Sequence, residues 1–305
     1  MTTAGPTPDR GTAPSSVVLP RPPSLPPLLA RGALRSPFKR PAPDAPFPRT
    51  RLVVPSLRVD LGRLAAYERV CGFATGEDAL PVTYPHVLGF PLAMSLMSGG
   101  DFPLPLLGLV HTSIDITRHR VLPATGMYQL TVYVAGLAAH RRGTEATVVT
   151  ELRAEGGDVV WASSSTYLAR HRTDGTGAVE SPAGAAEAAG QERPPLPVVE
   201  EWRLAGDVGR RYGAASGDRN PIHLFALTAR LFGFPRAIAH GMWTVARCLA
   251  AHGTPPAALV RAEFRAPVLL PGAVAYAADD IGRFELRGAK DGRLHLTGEV
   301  LPLLT

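Results

Sequence analysis

The sequence is poor in cysteine, with two in 305 residues, and Cys71 and Cys248 stand alone. Single thiols without a pairing pattern exclude a disulfide scaffold and fit a reducing compartment. Cys-x-x-Cys pairs, a His-Glu-x-x-His zinc spacing and a phosphate-binding Walker loop are all missing. No apolar run approaches the roughly 20 residues that span a bilayer. Near the N-terminus the longest apolar run, Val17-Val18-Leu19, is closed by Pro20, too short for a signal-peptide core. The chain therefore reads as a soluble, cytoplasmic globular protein without a metal or cofactor.

Charge and proline are plentiful but unevenly placed. The formal net charge is +6, and residues 1–50 hold seven Lys/Arg against two Asp, together with 13 of the 31 prolines. Residues 51–305 are thus nearly neutral, which argues against nucleic acid as a partner. Residues 1–50 read as a disordered Pro/Arg-rich tail, unable to bury enough apolar surface to offset its ordering entropy. An organelle transit peptide is disfavoured because dense prolines break an amphipathic helix. Removing the tail is expected to leave turnover intact. Residues 172–195, with Asp-Gly-Thr-Gly, an Ala/Gly-rich run and Pro194-Pro195, read as a linker.

Residues 51–171 and 196–305 look like two copies of one unit. Tyr67-Glu-Arg-Val-Cys71-Gly72-Phe73 aligns with Tyr212-Gly-Ala-Ala-Ser216-Gly217-Asp218. Each tyrosine ends a short helical pattern, Leu61–Tyr67 or Asp207–Tyr212. A histidine then opens an apolar helical stretch, His86 before Phe90–Met97 and His240 before Met242–Ala251. Segments of period near two follow in both copies, the pattern of half-buried antiparallel strands. In the first copy they are Leu107–Thr117, Met127–Ala138, Thr144–Arg153 and Val159–Ala169. In the second they are Leu259–Ala266, Val274–Ala278, Arg283–Arg287 and Leu294–Leu301. One long helix wrapped by an antiparallel sheet, made twice, is an α+β architecture. The copies differ where chemistry would sit: only the second has Asp218-Arg-Asn220-Pro221-Ile-His223, and the first has Phe73 in place of Asp218.

That run, with Gly233-Phe234-Pro235 and Ile238-Ala-His240-Gly241-Met242, resembles the MaoC-like (R)-specific enoyl-thioester hydratases. The first copy adds Leu80-Pro-Val-Thr-Tyr84-Pro-His86 and Phe102-Pro-Leu-Pro-Leu-Leu-Gly-Leu-Val-His111. It looks like the non-catalytic half of the actinobacterial double-hotdog 3-hydroxyacyl-thioester dehydratases. The resemblance implies a double hotdog, with a non-catalytic unit at 51–171 and a catalytic unit at 196–305. It also implies Asp218 and His223 as the catalytic pair. One departure is that Phe225 and Ala226 stand where the family often has Asp/Asn-Pro.

The residue chemistry agrees. Dehydrating a (3R)-3-hydroxyacyl thioester, or hydrating a trans-2-enoyl thioester, moves a proton at C2 and handles a hydroxyl at C3. A neighbouring carboxylate and imidazole supply an acid and a base. Pro221 turns the chain between them, and Asn220 suits such a bend. Gly241, opening an apolar helix, offers an oxyanion-stabilising N–H. His240 reads as a helix-entry residue beside the substrate. Phe73, Phe90, Met94, Met97 and Met242 are expected to line the acyl site. His86 and His111 read as structural and Cys248 as core. Arg118-His-Arg120 and Arg141-Arg142 read as solvated strand ends, or as contacts for the phosphates of coenzyme A or an acyl carrier. The expected partners are an acyl-CoA or acyl-carrier-protein thioester, with a homodimer of double hotdogs or association with fatty-acid synthesis enzymes. A hotdog thioesterase and a non-catalytic acyl-thioester-binding protein are the rival readings.

Overall fold

A computed structural model describes residues 15–173 and 195–303. Strand β1 (Ser16–Val18) and helix α1 (Leu25–Arg35) precede the first unit. That unit runs β2 (Arg51–Arg58), α2 (Leu61–Cys71), α3 (Tyr84–Met97), β3 (Val110–Arg118), β4 (Met127–His140), β5 (Gly143–Arg153) and β6 (Val159–Arg170). The second begins with β7 (Val198–Leu204), α4 (Val208–Ser216), α5 (Pro221–Leu224), α6 (Ala226–Leu231) and α7 (Gly241–His252). It closes with β8 (Ala258–Phe264), β9 (Gly272–Ala278), β10 (Arg283–Gly288) and β11 (Leu294–Pro302). Almost all of the linker expected at 172–195 lies outside the described residues.

Among the described residues, all strands join one sheet in the order β1-β2-β4-β5-β6-β3-β8-β11-β10-β9-β7. Read outward from the middle, β3-β6-β5-β4-β2 and β8-β11-β10-β9-β7 are the same sequence of roles. The duplication seen in the sequence is therefore a duplication of topology. The halves meet where β3 pairs antiparallel with β8, from Ser113↔Glu263 to Arg118↔Ala258. Arg118, buried at the end of β3, fastens the halves further by donating to the carbonyls of Thr254, Pro255 and Pro256. It is neither a solvated strand end nor a phosphate contact.

The helices follow from local sequence. Asp60 Oδ1 accepts from Arg63 N at 3.1 Å and starts α2, and Gly72 ends it with φ 84°. Gly217 ends α4 the same way with φ 86°. Only glycine takes that left-handed backbone without strain. The repeated tyrosines meet between the units, Tyr67 and Tyr212 having ring centres 5.9 Å apart. Helix α3 is apolar on every side, as expected of a helix enclosed by its own half. It begins at Tyr84, so His86 lies within its first turn rather than before it.

Residues 15–50 correct the expectation of a disordered tail. Strand β1 pairs in parallel with β2, and α1 lies on α3. Prolines 26 and 27 fall in the first turn of α1, where a missing N–H costs no helical bond. The basic residues also have partners. Arg31 donates to Ser95 O at 3.1 Å, Arg35 to Ser98 O at 3.3 Å, and Lys39 Nζ to the carbonyls of Gly99, Gly100 and Phe102 at 2.7, 3.0 and 2.5 Å. These carbonyls lie at and just beyond the C-terminus of α3, where cations are favoured. Among the described residues, no helix is long and apolar enough to cross a membrane.

Candidate active site

Asp218, Asn220 and His223 are placed by a turn that rests on α4. Gly209 and Gly213 let the turn approach closely: a β-carbon at 209 would lie 1.9 Å from His223 O, and one at 213 would lie 2.7 Å from Asp218 O. Ser216 Oγ donates to Tyr212 O at 2.9 Å and accepts from Asp218 N at 3.2 Å. Asp218 Oδ1 accepts from Asn220 N at 3.1 Å, and Asn220 Oδ1 caps α5 by accepting from Ile222 N at 3.4 Å. Pro221 occupies the first position of α5, so His223 follows one turn after the bend. The six-residue run thus folds as two consecutive side chain–backbone turns.

His223 is fixed by a second loop. Its Nδ1–H donates to Ile238 O at 2.8 Å, leaving Nε2 as an acceptor. His240, the residue before α7, donates from Nε2 to Asp218 O at 2.9 Å and lies 3.9 Å from the carboxylate. Its ring stacks on His223 with centroids 3.7 Å apart and planes inclined by 26°. One polar atom each of Asp218, His223 and His240 falls within 4.8 Å of the others. The two near-parallel imidazoles hold their lone pairs in separate planes, and Nε2 of His240 already serves Asp218 O. This arrangement suits proton transfer better than shared ligation of an ion.

Burial governs the protonation of the cluster. It pushes the Asp218 carboxyl above the usual carboxylate range, opposed by His223 and the Asn220 N–H. It pushes His223 below the usual imidazole range, opposed by Asp218 and the Ile238 carbonyl. His240 is held well below, first by burial and then by His223. The first-half pair behaves similarly: burial takes His86 down to about 4 and His111 well below its ordinary value. His86 Nδ1 and His111 Nε2 are buried without a hydrogen-bond partner.

The cluster opens into a cavity of about 660 Å³ shared by both halves. Of the expected acyl-site residues, Phe90, Met94, Met97, His240 and Met242 line it. Phe73 is not among its lining residues and instead stacks on Tyr67 at 6.4 Å. Gly241, as the first residue of α7, lines the cavity with an N–H that has no intrahelical partner. A β-carbon there would lie 2.8 Å from the Phe264 ring, so any side chain at 241 would have to displace that ring. His111 and Tyr167 also face the cavity, their rings stacked at 4.5 Å. Arg142, Arg170 and Arg293 bring positive charge from both halves. Of these only Arg142 had a signal in the sequence, because strand-end position does not reveal which way a side chain faces. Both cysteines are buried with their thiol pKa raised by burial, which fits core packing.

Comparison with known proteins identifies the family of the chain. The MaoC-like domain matches residues 191–288. The 3-hydroxyacyl-thioester dehydratase X of Mycobacterium tuberculosis is 37% identical over 260 residues, covering 83% of this chain and 90% of that protein. The chain belongs to the MaoC-like dehydratase family. The crystal structure of that mycobacterial protein, HtdX, superposes with a TM-score of 0.70 at 35% identity, covering 83% of this chain and 100% of the other. A MaoC-like dehydratase from Phytophthora capsici shares the fold, with a TM-score of 0.63 at 17% identity over 86% of this chain and 98% of that one. A further Mycobacterium tuberculosis protein described as having a double hotdog fold gives a TM-score of 0.51 at 14% identity, covering 81% and 94%. The MaoC-like fold here is a double hotdog.

Proposed function

We propose that this chain reversibly dehydrates (3R)-3-hydroxyacyl thioesters to trans-2-enoyl thioesters, with one active site in its C-terminal half. The observation that carries the proposal is the Asp218–His223 pair at the cavity, with His223 Nδ1–H committed to Ile238 O. In the dehydration direction His223 Nε2 takes the C2 proton. Asp218, kept prone to protonation by burial, gives its proton to the departing C3 hydroxyl. The two groups act on the proton as a coupled pair. The Gly241 N–H at the head of α7 stabilises the enolate oxygen, a role typically worth about 3 kcal/mol of barrier. Asn220 holds the turn between acid and base.

Phe73 occupies the place of Asp218 in the first copy, which supports a non-catalytic N-terminal unit. That unit furnishes Phe90, Met94 and Met97 to the acyl cavity. Arg142, Arg170 and Arg293 suit the phosphate-bearing handle of coenzyme A or an acyl-carrier protein. The buried free thiols favour a cytoplasmic setting. Fatty-acid metabolism, a homodimer of double hotdogs and contact with synthesis enzymes fit the same reading.

Mixing the protein with crotonyl-CoA and longer enoyl-CoAs tests it. Loss of the conjugated thioester absorbance without release of free thiol is expected. Thiol release would establish the thioesterase reading. Tight binding without either change would establish the binding-protein reading.

A further inference from the structure

Helix α1 touches the active-site region along one stripe. Leu25 packs on Gly217, the residue before Asp218: a β-carbon on Gly217 would lie 2.7 Å from Leu25 Cδ1. Leu29, one turn later, lines the cavity beside Phe90, Met94 and Met97. Gly32, a further turn on, is pressed against Leu106, another cavity residue, whose Cδ2 would lie 2.3 Å from a β-carbon at 32. Positions 25, 29 and 32 share one helical face. Leu34 is 75% exposed.

The seating of α1 is specific. Ser36 Oγ donates to Gly32 O at 2.7 Å and accepts from Leu107 N at 2.9 Å, tying the end of the helix to the loop that carries Leu106. Arg31 Nη2 donates to Ser98 Oγ at 2.7 Å. A helix anchored at one end to the C-terminus of α3 and abutting the catalytic turn at the other is a fixed wall, not an appended tail. The side chain it offers to the cavity is a leucine, chemically matched to an alkyl chain.

We infer that α1 is the outer wall of the acyl site and that Leu29 limits the length of acyl chain it accepts. The inference rests on the thioester reading above. A bulkier side chain at 29 shortens the accessible cavity, and a smaller one extends it toward α1. Short chains, which do not reach the wall, are affected least.

The test compares twelve-carbon with four-carbon thioesters in the full-length protein. Leu29→Trp is expected to lower the ratio of kcat/KM for the twelve- over the four-carbon enoyl-CoA at least tenfold. Leu29→Ala is expected to raise it at least threefold, and Leu34→Trp, on the same helix but facing solvent, to leave it unchanged. Binding of the unreactive dodecanoyl-CoA and butyryl-CoA, measured by calorimetry, reads the same ratio without turnover. The two failures are thereby separated. Absence of turnover in the wild type would overturn the hydratase reading, whereas a binding ratio that ignores residue 29 would overturn the wall. Circular dichroism checks that each variant folds, and if Leu29→Trp does not, Leu29→Phe and Leu29→Ala decide by the same ratio. A ratio within twofold of wild type in the folded variants, or an equal shift in Leu34→Trp, would overturn the inference.

Discussion

Gly209 of α4 lies directly against the backbone of His223, so close that a β-carbon at 209 would stand 1.9 Å from the His223 carbonyl oxygen. The turn from Asp218 to His223 has no clearance there, and the obstacle is backbone rather than a side chain that could swing away. Gly209→Ala is expected to displace His223 from Ile238. The expected result is at least a 100-fold lower kcat and a loss of about 1–3 kcal/mol of stability from overpacking. Steady-state kinetics and urea unfolding check this, and a fully active, equally stable variant would contradict the placement of His223.

The buried histidines make stability dependent on pH. His86 has a folded-state pKa of about 4, below its unfolded value near 6.5. The unfolded chain therefore binds more protons between those values, and stability falls as pH drops from 6.5 toward 4. His86 alone should account for about 1 kcal/mol of loss between pH 7.5 and 5.5. His86→Phe removes a buried imidazole whose Nδ1 is unpaired. Urea unfolding at the two pH values should show a shallower loss in the variant by that amount. An identical pH slope would rule out His86 as a source.

Lys39 gathers three backbone carbonyls after α3, so Lys39→Met leaves Gly99, Gly100 and Phe102 without that donor. About 1–3 kcal/mol of local stability should be lost. Amide hydrogen exchange over residues 15–50 should quicken, while β5 and β6 stay protected. Unchanged exchange in α1 would mean that Lys39 is not among the contacts that seat it.

Much of the fold was legible because the two copies carry the same hydrophobic periods, and eight predicted strands match observed ones within a few residues. Strands β2 and β7 escaped notice for local reasons. Pro55 interrupts β2 at a register shift, and β7 is an edge strand with most of its side chains exposed. The turn from Asp218 to His223 was legible because Asp218, Asn220 and Pro221 act on their own neighbours. Residues 15–50 were misread because their prolines and arginines only make sense against a partner: the prolines start α1, and the cations meet carbonyls some 60 residues away. The failure of Phe73 to reach the cavity has the same origin. Its ring went to Tyr67, a tertiary choice that spacing does not encode. Deleting the N-terminal segment is accordingly expected to impair the enzyme.

The central claim is that Asp218 and His223 act together as one acid/base unit. Turnover of crotonyl-CoA by Asp218→Asn, His223→Gln and the double variant tests it most directly. Each single variant is expected to lose about 10³-fold in kcat/KM, with the double variant little worse than either, because the groups share one proton transfer sequence. Folded Asp218→Asn protein that keeps turnover within tenfold of wild type, or losses that multiply in the double variant, would contradict the account.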